Sequence, residues 1–117
     1  MKNFLLIFRY DSNNLPEGSP AELQAMTKRW MDWIGGIAAQ EKLTDRGNRL
    51  EFIGKTVKPG NVITDGPFTE AKELFGGYSI VKASSLEEAT SLVSGCPILT
   101  VGGSVEVRPV NELNMKP

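Results

Sequence analysis

The densest run of chemically capable side chains is Thr64-Asp65-Gly66-Pro67-Phe68-Thr69-Glu70-Ala71-Lys72-Glu73. Asp65 bonds amides two residues on in such a turn, Gly66 permits unusual backbone angles, and Pro67 fixes φ. Two readings of Asp65 stand side by side. In one it is a turn former that satisfies backbone amides. In the other it is a general base or acid at the rim of a cleft. The second needs burial, because an ordinary aspartate with a pKa of about 3.9 is a weak base at neutral pH. Glu70 and Glu73, three residues apart on a helical turn, would face the same way and form a divalent-metal pair with Asp65, or else a solvated charged turn. They match no spacing template for a metal, and no metal site is assigned.

Other candidates lie outside this run. Trp30 and Trp33, with Met26, either pack the core or line a pocket for an apolar or aromatic ligand. They sit about 300° apart around a helix, so both cannot point straight at a sheet, and one is expected at a cleft edge. Arg9, Tyr10, Tyr78 and Arg108 fall near strand ends. An arginine there can hold a carboxylate through two parallel hydrogen bonds. Arg108 is equally suited to pairing with Glu70 or Glu73. Gly76-Gly77 and Gly102-Gly103 are glycine pairs without a GxGxxG or GK[ST] pattern, so no nucleotide loop is indicated.

The chain contains no histidine. That excludes Ser-His-Asp and Cys-His nucleophile systems, His-ligated zinc or haem, and a base titrating near neutrality without perturbation. Cys96 is the single cysteine, which excludes an intrachain disulfide and CxxC chemistry and fits a reducing compartment. Without a histidine to activate it, Cys96 reads as a loop or core thiol. No cofactor is expected.

Those residues must be carried by a small frame. The chain has 117 residues, 40% of them apolar and 23% charged, with a formal net charge of −1. This is the size of one domain, here residues 1–117, and ordinary for a globular protein. A near-neutral chain without a basic block is poorly suited to binding nucleic acid directly. The apolar run Phe4 to Phe8 is far shorter than a membrane helix and lacks the pattern of a signal peptide. The expected location is the cytoplasm, with no membrane contact.

The element pattern runs strand, helix, strand, then strand, helix, strand. Asn3 to Tyr10 reads as a strand covered on both faces. Ser19-Pro20-Ala21-Glu22 is a capping box that starts a helix, with Leu23, Met26, Trp30, Trp33, Ile34 and Ile37 along one stripe and an end near Ala39 to Lys42. Gly35-Gly36 inside it either weakens it or admits a close neighbour. Leu50 to Lys58 is predicted as the second strand. A turn at Pro59-Gly60-Asn61 leads to a short returning strand, Val62 to Thr64. Phe75 to Ala83 is the third long strand. Ser85 and Glu88 cap a short helix ending at Gly95. Ser104 to Val110 is the last strand.

Two successive βαβ units of this size predict an α+β fold, a ferredoxin-like (βαβ)2 sandwich with an extra β-hairpin. Right-handed crossovers put both helices on one face of the sheet. The first and third strands look apolar on both sides, so the other face also needs cover. A second copy, packed sheet to sheet, is the simplest cover, and a homodimer is expected.

Asp65-Gly66-Pro67-Phe68, continuing through Glu70, Lys72-Glu73 and Gly76-Gly77-Tyr78, resembles the motif region of the YCII-related, or DGPF-domain, family. Val105 to Val110 resembles that family's closing strand, and the first strand and the Met26-to-Trp33 helix are similar as well. The resemblance implies a dimeric α/β-barrel assembly of two ferredoxin-like subunits. It also implies lyase-like or dehalogenating relatives acting on ring-cleavage products through a His-Asp pair. Half of that pair is missing here, and only Asp65 can stand in for the rest. It further implies a partner role beside extracytoplasmic-function sigma factors.

The expectation is therefore a homodimer with a cleft for a small acidic or aromatic ligand near Asp65, either binding only or assisting a lyase- or isomerase-like proton transfer. The alternative is a non-catalytic partner of a sigma factor, whose charged Glu70-to-Glu73 turn would meet a basic surface. The candidate catalytic residue is Asp65. The candidate ligand-binding residues are Arg9, Tyr10, Trp30, Phe68, Tyr78 and Arg108.

Overall fold

The structure is a computed structural model, and it describes residues 1–11, 18–65 and 73–112. The element order is β1 (Lys2–Asp11), α1 (Pro20–Ala39), β2 (Leu43–Arg49), β3 (Lys55–Lys58), β4 (Val62–Asp65), β5 (Glu73–Ala83), α2 (Leu86–Val93), a 3-10 turn (Pro97–Val101) and β6 (Ser104–Pro109). Four strands form one sheet in the order β2-β5-β1-β6, and β3 and β4 form a separate hairpin. All three pairings in the larger sheet are antiparallel. This α+β arrangement is compatible with a ferredoxin-like fold with an added hairpin.

β1 occupies the centre because alternate residues serve the core. Phe4, Leu6 and Phe8 join Val81 and Ala83 of β5, Ile37 of α1, and Ala89 and Val93 of α2 in one buried cluster. Both helices therefore pack on the same face of the sheet. The opposite face presents Leu5, Ile7 and Arg9, which stand beside Ile80, Tyr78 and Phe75 of β5, and beside Arg108, Glu106 and Ser104 of β6.

Both predicted helix starts are present. The Ser19 side chain accepts from the Glu22 amide at 3.2 Å. Ser85 accepts from the Glu88 amide at 3.1 Å. The Glu88 carboxylate turns to Ser84, accepting from its hydroxyl at 2.8 Å, and pairs with Lys42 at 3.2 Å. The Ser84 hydrogen bond first, and then Lys42, hold its carboxyl below the usual carboxylate range. This contact ties the end of α1 to the start of α2. Helix α1 continues through Gly35-Gly36, where an added Cβ would meet nothing within 4 Å, so neither glycine has a close neighbour among the described residues.

The second strand differs from expectation. It is β2, Leu43–Arg49, and the predicted Leu50-to-Lys58 strand divides into the non-strand residues 50–54 and the hairpin strand β3. The segment Leu-Thr-Asp-Arg-Gly-Asn-Arg has one apolar residue and no alternation, so periodicity cannot reveal it. It pairs on one side only, as the edge of the sheet, and a polar edge strand resists pairing with other chains. The apolar Leu50, Phe52 and Ile53 mimic a strand, yet Ile53 is 81% exposed.

Cys96 is buried in the core. Burial pushes its thiol up to about 11, against a weaker lowering by a backbone hydrogen bond at Ile98. Only the thiolate attacks electrophiles. Native protein at pH 8 is expected to resist iodoacetamide for hours, whereas denatured protein reacts within minutes. Mass spectrometry of the quenched mixture distinguishes these outcomes, and rapid native labelling would contradict the buried position.

Candidate functional site

Helix α1 is covered unevenly along its length. Near its end Ile37 is only 2% exposed, whereas Leu23 near its start is 42% exposed. Trp33 anchors the covered half. Its indole Nε1 donates to the Leu92 carbonyl of α2 at 3.0 Å, and its ring meets Phe8 edge-on at 6.0 Å. The first half of α1 stands away from the sheet and leaves a cavity of about 630 Å³ between them. Its helix wall includes Leu23, Met26, Trp30, Met31 and Ile34, and its floor includes Phe8, Tyr10 and Gly76 to Ser79.

Aromatic contacts shape that wall. Trp30 meets Phe8 edge-on at 4.8 Å and Trp33 at 5.5 Å. Tyr10 meets Phe52 edge-on at 5.8 Å. Gly76 makes room for Tyr10, since a Cβ there would run into the tyrosine ring. The Tyr10 phenol is pushed above its usual value, chiefly by burial, while the nearby Arg49 charge pulls it down. Around neutral pH it is therefore a neutral hydrogen-bonding group.

The third wall is built by an irregularity in β2. Ile80 and Tyr78 of β5 are two positions apart, while their partners Asp45 and Asn48 are three apart. This is a bulge, and Gly47 supplies its left-handed residue at φ 71°. The Asp45 side chain accepts from the Gly47 amide at 2.8 Å and closes the turn. In a regular strand, residues three apart point to opposite faces. The bulge lets Arg46 and Arg49, with Gly47 and Asn48, all contribute to one cavity wall. Asn48 donates to the Tyr78 hydroxyl at 3.3 Å.

The expected site residues separate into three groups. Tyr10 and Trp30 line the cavity, and Tyr78 borders it although it stands opposite Ile7, which puts its ring on the outer face of the sheet. Arg9 and Arg108 do not: they lie across the sheet, on the face away from the helices. There Arg9 pairs with Glu106 at 3.1 Å and lies 5.7 Å from the centre of the Phe75 ring, and Arg108 approaches Glu106 at 3.7 Å. Asp65 is at the end of the hairpin strand β4, paired with Lys55 at 2.8 Å, with its side chain 95% exposed. It does not line the cavity, and it lacks the burial that a base in that position requires. Phe68 and Glu70 fall outside the described residues, as does the Gly66-Pro67 turn; of Glu73 only the backbone is described. Among the described residues no group of three His, Cys, Asp or Glu side chains is placed to hold a metal ion.

Sequence reasoning missed Arg46, Arg49, Asn48 and Phe52. A signal for Arg46 and Asn48 was present in Asp45-Arg46-Gly47-Asn48, where an Asp two residues before a Gly is a turn signature inside a polar stretch. Two properties of the cavity bear on its chemistry. Its described lining contains no Asp or Glu, and it contains both Arg46 and Arg49. Such a wall can hold an anion but provides no carboxylate base.

No helix among the described residues is long and apolar enough to cross a membrane. Comparison with curated proteins finds no match to the chain. The sequence pattern of the YCII-related domain, in contrast, matches residues 3–114, nearly the whole chain. The chain belongs to the YCII-related family.

Proposed function

We propose that this protein binds a small acidic or aromatic molecule in the cleft between α1 and the sheet, and that it does so as a homodimer packed through the outer sheet face. The observation that carries the reading is the cavity of about 630 Å³. That volume lies within the roughly 300–1,000 Å³ typical of ligand sites, which combine apolar walls with a few polar groups. The cavity has that composition: Trp30, Met26, Ile34 and Phe52 supply apolar surface, while Tyr10, Arg46 and Arg49 supply donors. Binding is favoured over turnover because the described lining offers no carboxylate. Proton transfer through Asp65 would require a change of surroundings that removes this residue from water and from Lys55.

The dimer is supported by the outer sheet face. Leu5, Tyr78 and Ile80 are only half-buried on that face, where they surround the buried Ile7, and both helices lie on the other side. Closing two such faces together would give the dimeric α/β-barrel that the family resemblance implies.

A second reading, a regulatory partner such as a sigma factor, is favoured by the hairpin. Val57 and Ile63 stand opposite each other there at 65% and 60% exposure. Exposed apolar pairs on a strand ribbon are suited to protein contacts.

One set of measurements tests the first reading. Sedimentation at micromolar concentration is expected to give twice the chain mass. A fragment screen by amide NMR is expected to shift Gly47, Gly77 and the Trp30 indole together. A monomer would overturn the dimer. Fragment shifts confined to the 55–65 hairpin would favour the partner reading.

A further inference from the structure

We infer that the cleft is built for a small amphiphilic anion, its charged head held by Arg46 and Arg49 and its flat apolar body against Trp30 and Phe52. The inference rests on the cleft reading above and narrows it to one ligand class.

Charge accounting carries the argument. Arg9, Lys28, Lys42, Lys55 and Arg108 all pair with carboxylates. Arg46 and Arg49 make no ion pair with a described carboxylate. The Arg46 guanidinium Nη2 instead rests 3.0 Å from the sulfur of Met31, another lining residue. A thioether is a weak acceptor and leaves most of the five guanidinium donors to water or to a ligand. Arg49 lies close enough to the Tyr10 phenol for its charge to act on it. Two cationic groups therefore line one wall of a cavity whose described lining has no acidic residue.

Geometry supplies the rest. The bulge at Gly47 lets both arginines contribute to the cavity, on a wall that also includes Gly47 and Asn48. Guanidinium groups suit planar or tetrahedral anions, so carboxylate, sulfonate and phosphate heads share the required chemistry. A cation would meet two like charges. A neutral polar ligand would leave both guanidiniums without an anionic partner. Trp30, Phe52, Met26 and Ile34 add apolar surface to the same cavity, which favours a ligand with a ring or short apolar body over a bare inorganic anion.

The test compares two probes of nearly equal size, 1-naphthoate and 1-naphthylmethanol, titrated by calorimetry at pH 7.5 in low salt. The native protein is expected to bind naphthoate about 10- to 100-fold more tightly than the alcohol, the range for charge-assisted hydrogen bonds. Arg46→Gln with Arg49→Gln is expected to erase that difference and leave alcohol binding within about threefold. Sodium acetate alone is expected to compete weakly, since it has the head without the body. Equal binding of the two probes to native protein would overturn the anion assignment and leave the cleft reading standing. This outcome needs no variant to fold. Undiminished naphthoate binding by a folded double variant would place the anion elsewhere and also overturn it. If neither probe binds while the fragment screen still reports the cleft, this inference alone falls. If neither method reports binding there, both fall.

Discussion

Gly47→Ala is expected to cost about 2–5 kcal/mol and to dismantle the arginine wall together with the edge of the sheet. Two costs combine. The residue sits at φ 71°, a region that costs an L-residue roughly 1–2 kcal/mol. A Cβ there would also land on the Tyr78 carbonyl oxygen, a backbone atom of the neighbouring strand. Relief requires β2 to move away from β5, and overpacking of this kind typically costs about 1–3 kcal/mol. Gly60→Ala provides the comparison. It has a similar φ of 81° but open space around it, so only the conformational cost of about 1–2 kcal/mol applies. Chemical denaturation of both variants separates the two contributions. The Gly47 variant is further expected to lose the Asp45 bond to its amide, visible as faster hydrogen exchange at residue 47. A Gly47→Ala protein as stable as the Gly60→Ala protein would show that the bulge is soft, and Arg46 and Arg49 would then lack a rigid mount.

The second large effect lies in the core. Leu6 is fully buried at the centre of β1, between Ser79 of β5 and Val107 of β6. Leu6→Ala is expected to cost about 2–5 kcal/mol, from lost transfer energy plus an unfilled cavity. For a domain with roughly 5–15 kcal/mol of stability that is a large share. The melting temperature is expected to fall by about 10–20 °C. Ile53→Ser is the control, since Ile53 is equally apolar but 81% exposed. It is expected to change stability by about 0.5 kcal/mol or less, as at other free surface positions. A clear loss at Ile53 that grows on dilution would reveal an intermolecular contact near the hairpin and strengthen the partner reading. Thermal unfolding of each variant at two protein concentrations makes the distinction.

Much of the frame was legible in the residues. Phe4 to Phe8 form an apolar run in which Phe4, Leu6, Ile7 and Phe8 are buried, and Ser19 and Ser85 cap the helices they were expected to cap. These features are local: periodicity, capping and turn chemistry act within a few residues, and the chain states them directly. The absence of histidine excluded whole reaction classes, and the Asp-Gly-Pro-Phe run pointed to the YCII-related family. The same run drew attention to Asp65, whose exposed pairing with Lys55 belongs to the hairpin and not to the cleft.

The cleft was decided by tertiary structure. Its walls come from β1, α1, β2, residues 50–52 and β5, and no local pattern states that these meet. Strand β2 carries a single apolar residue because it pairs on one side only, so no alternation announced it. The turn at Gly47 brings both arginines to one cavity wall only because β5 runs beside it and sets the register. The uneven cover of α1 depends on how the Trp33 anchor to α2 seats one half of the helix against the core. Sequence alone determined the periodic core, the helix caps and the family. Which cations have no carboxylate partner among the described residues around the cavity depended on long-range packing, because pairing and burial are relations between residues far apart in the chain.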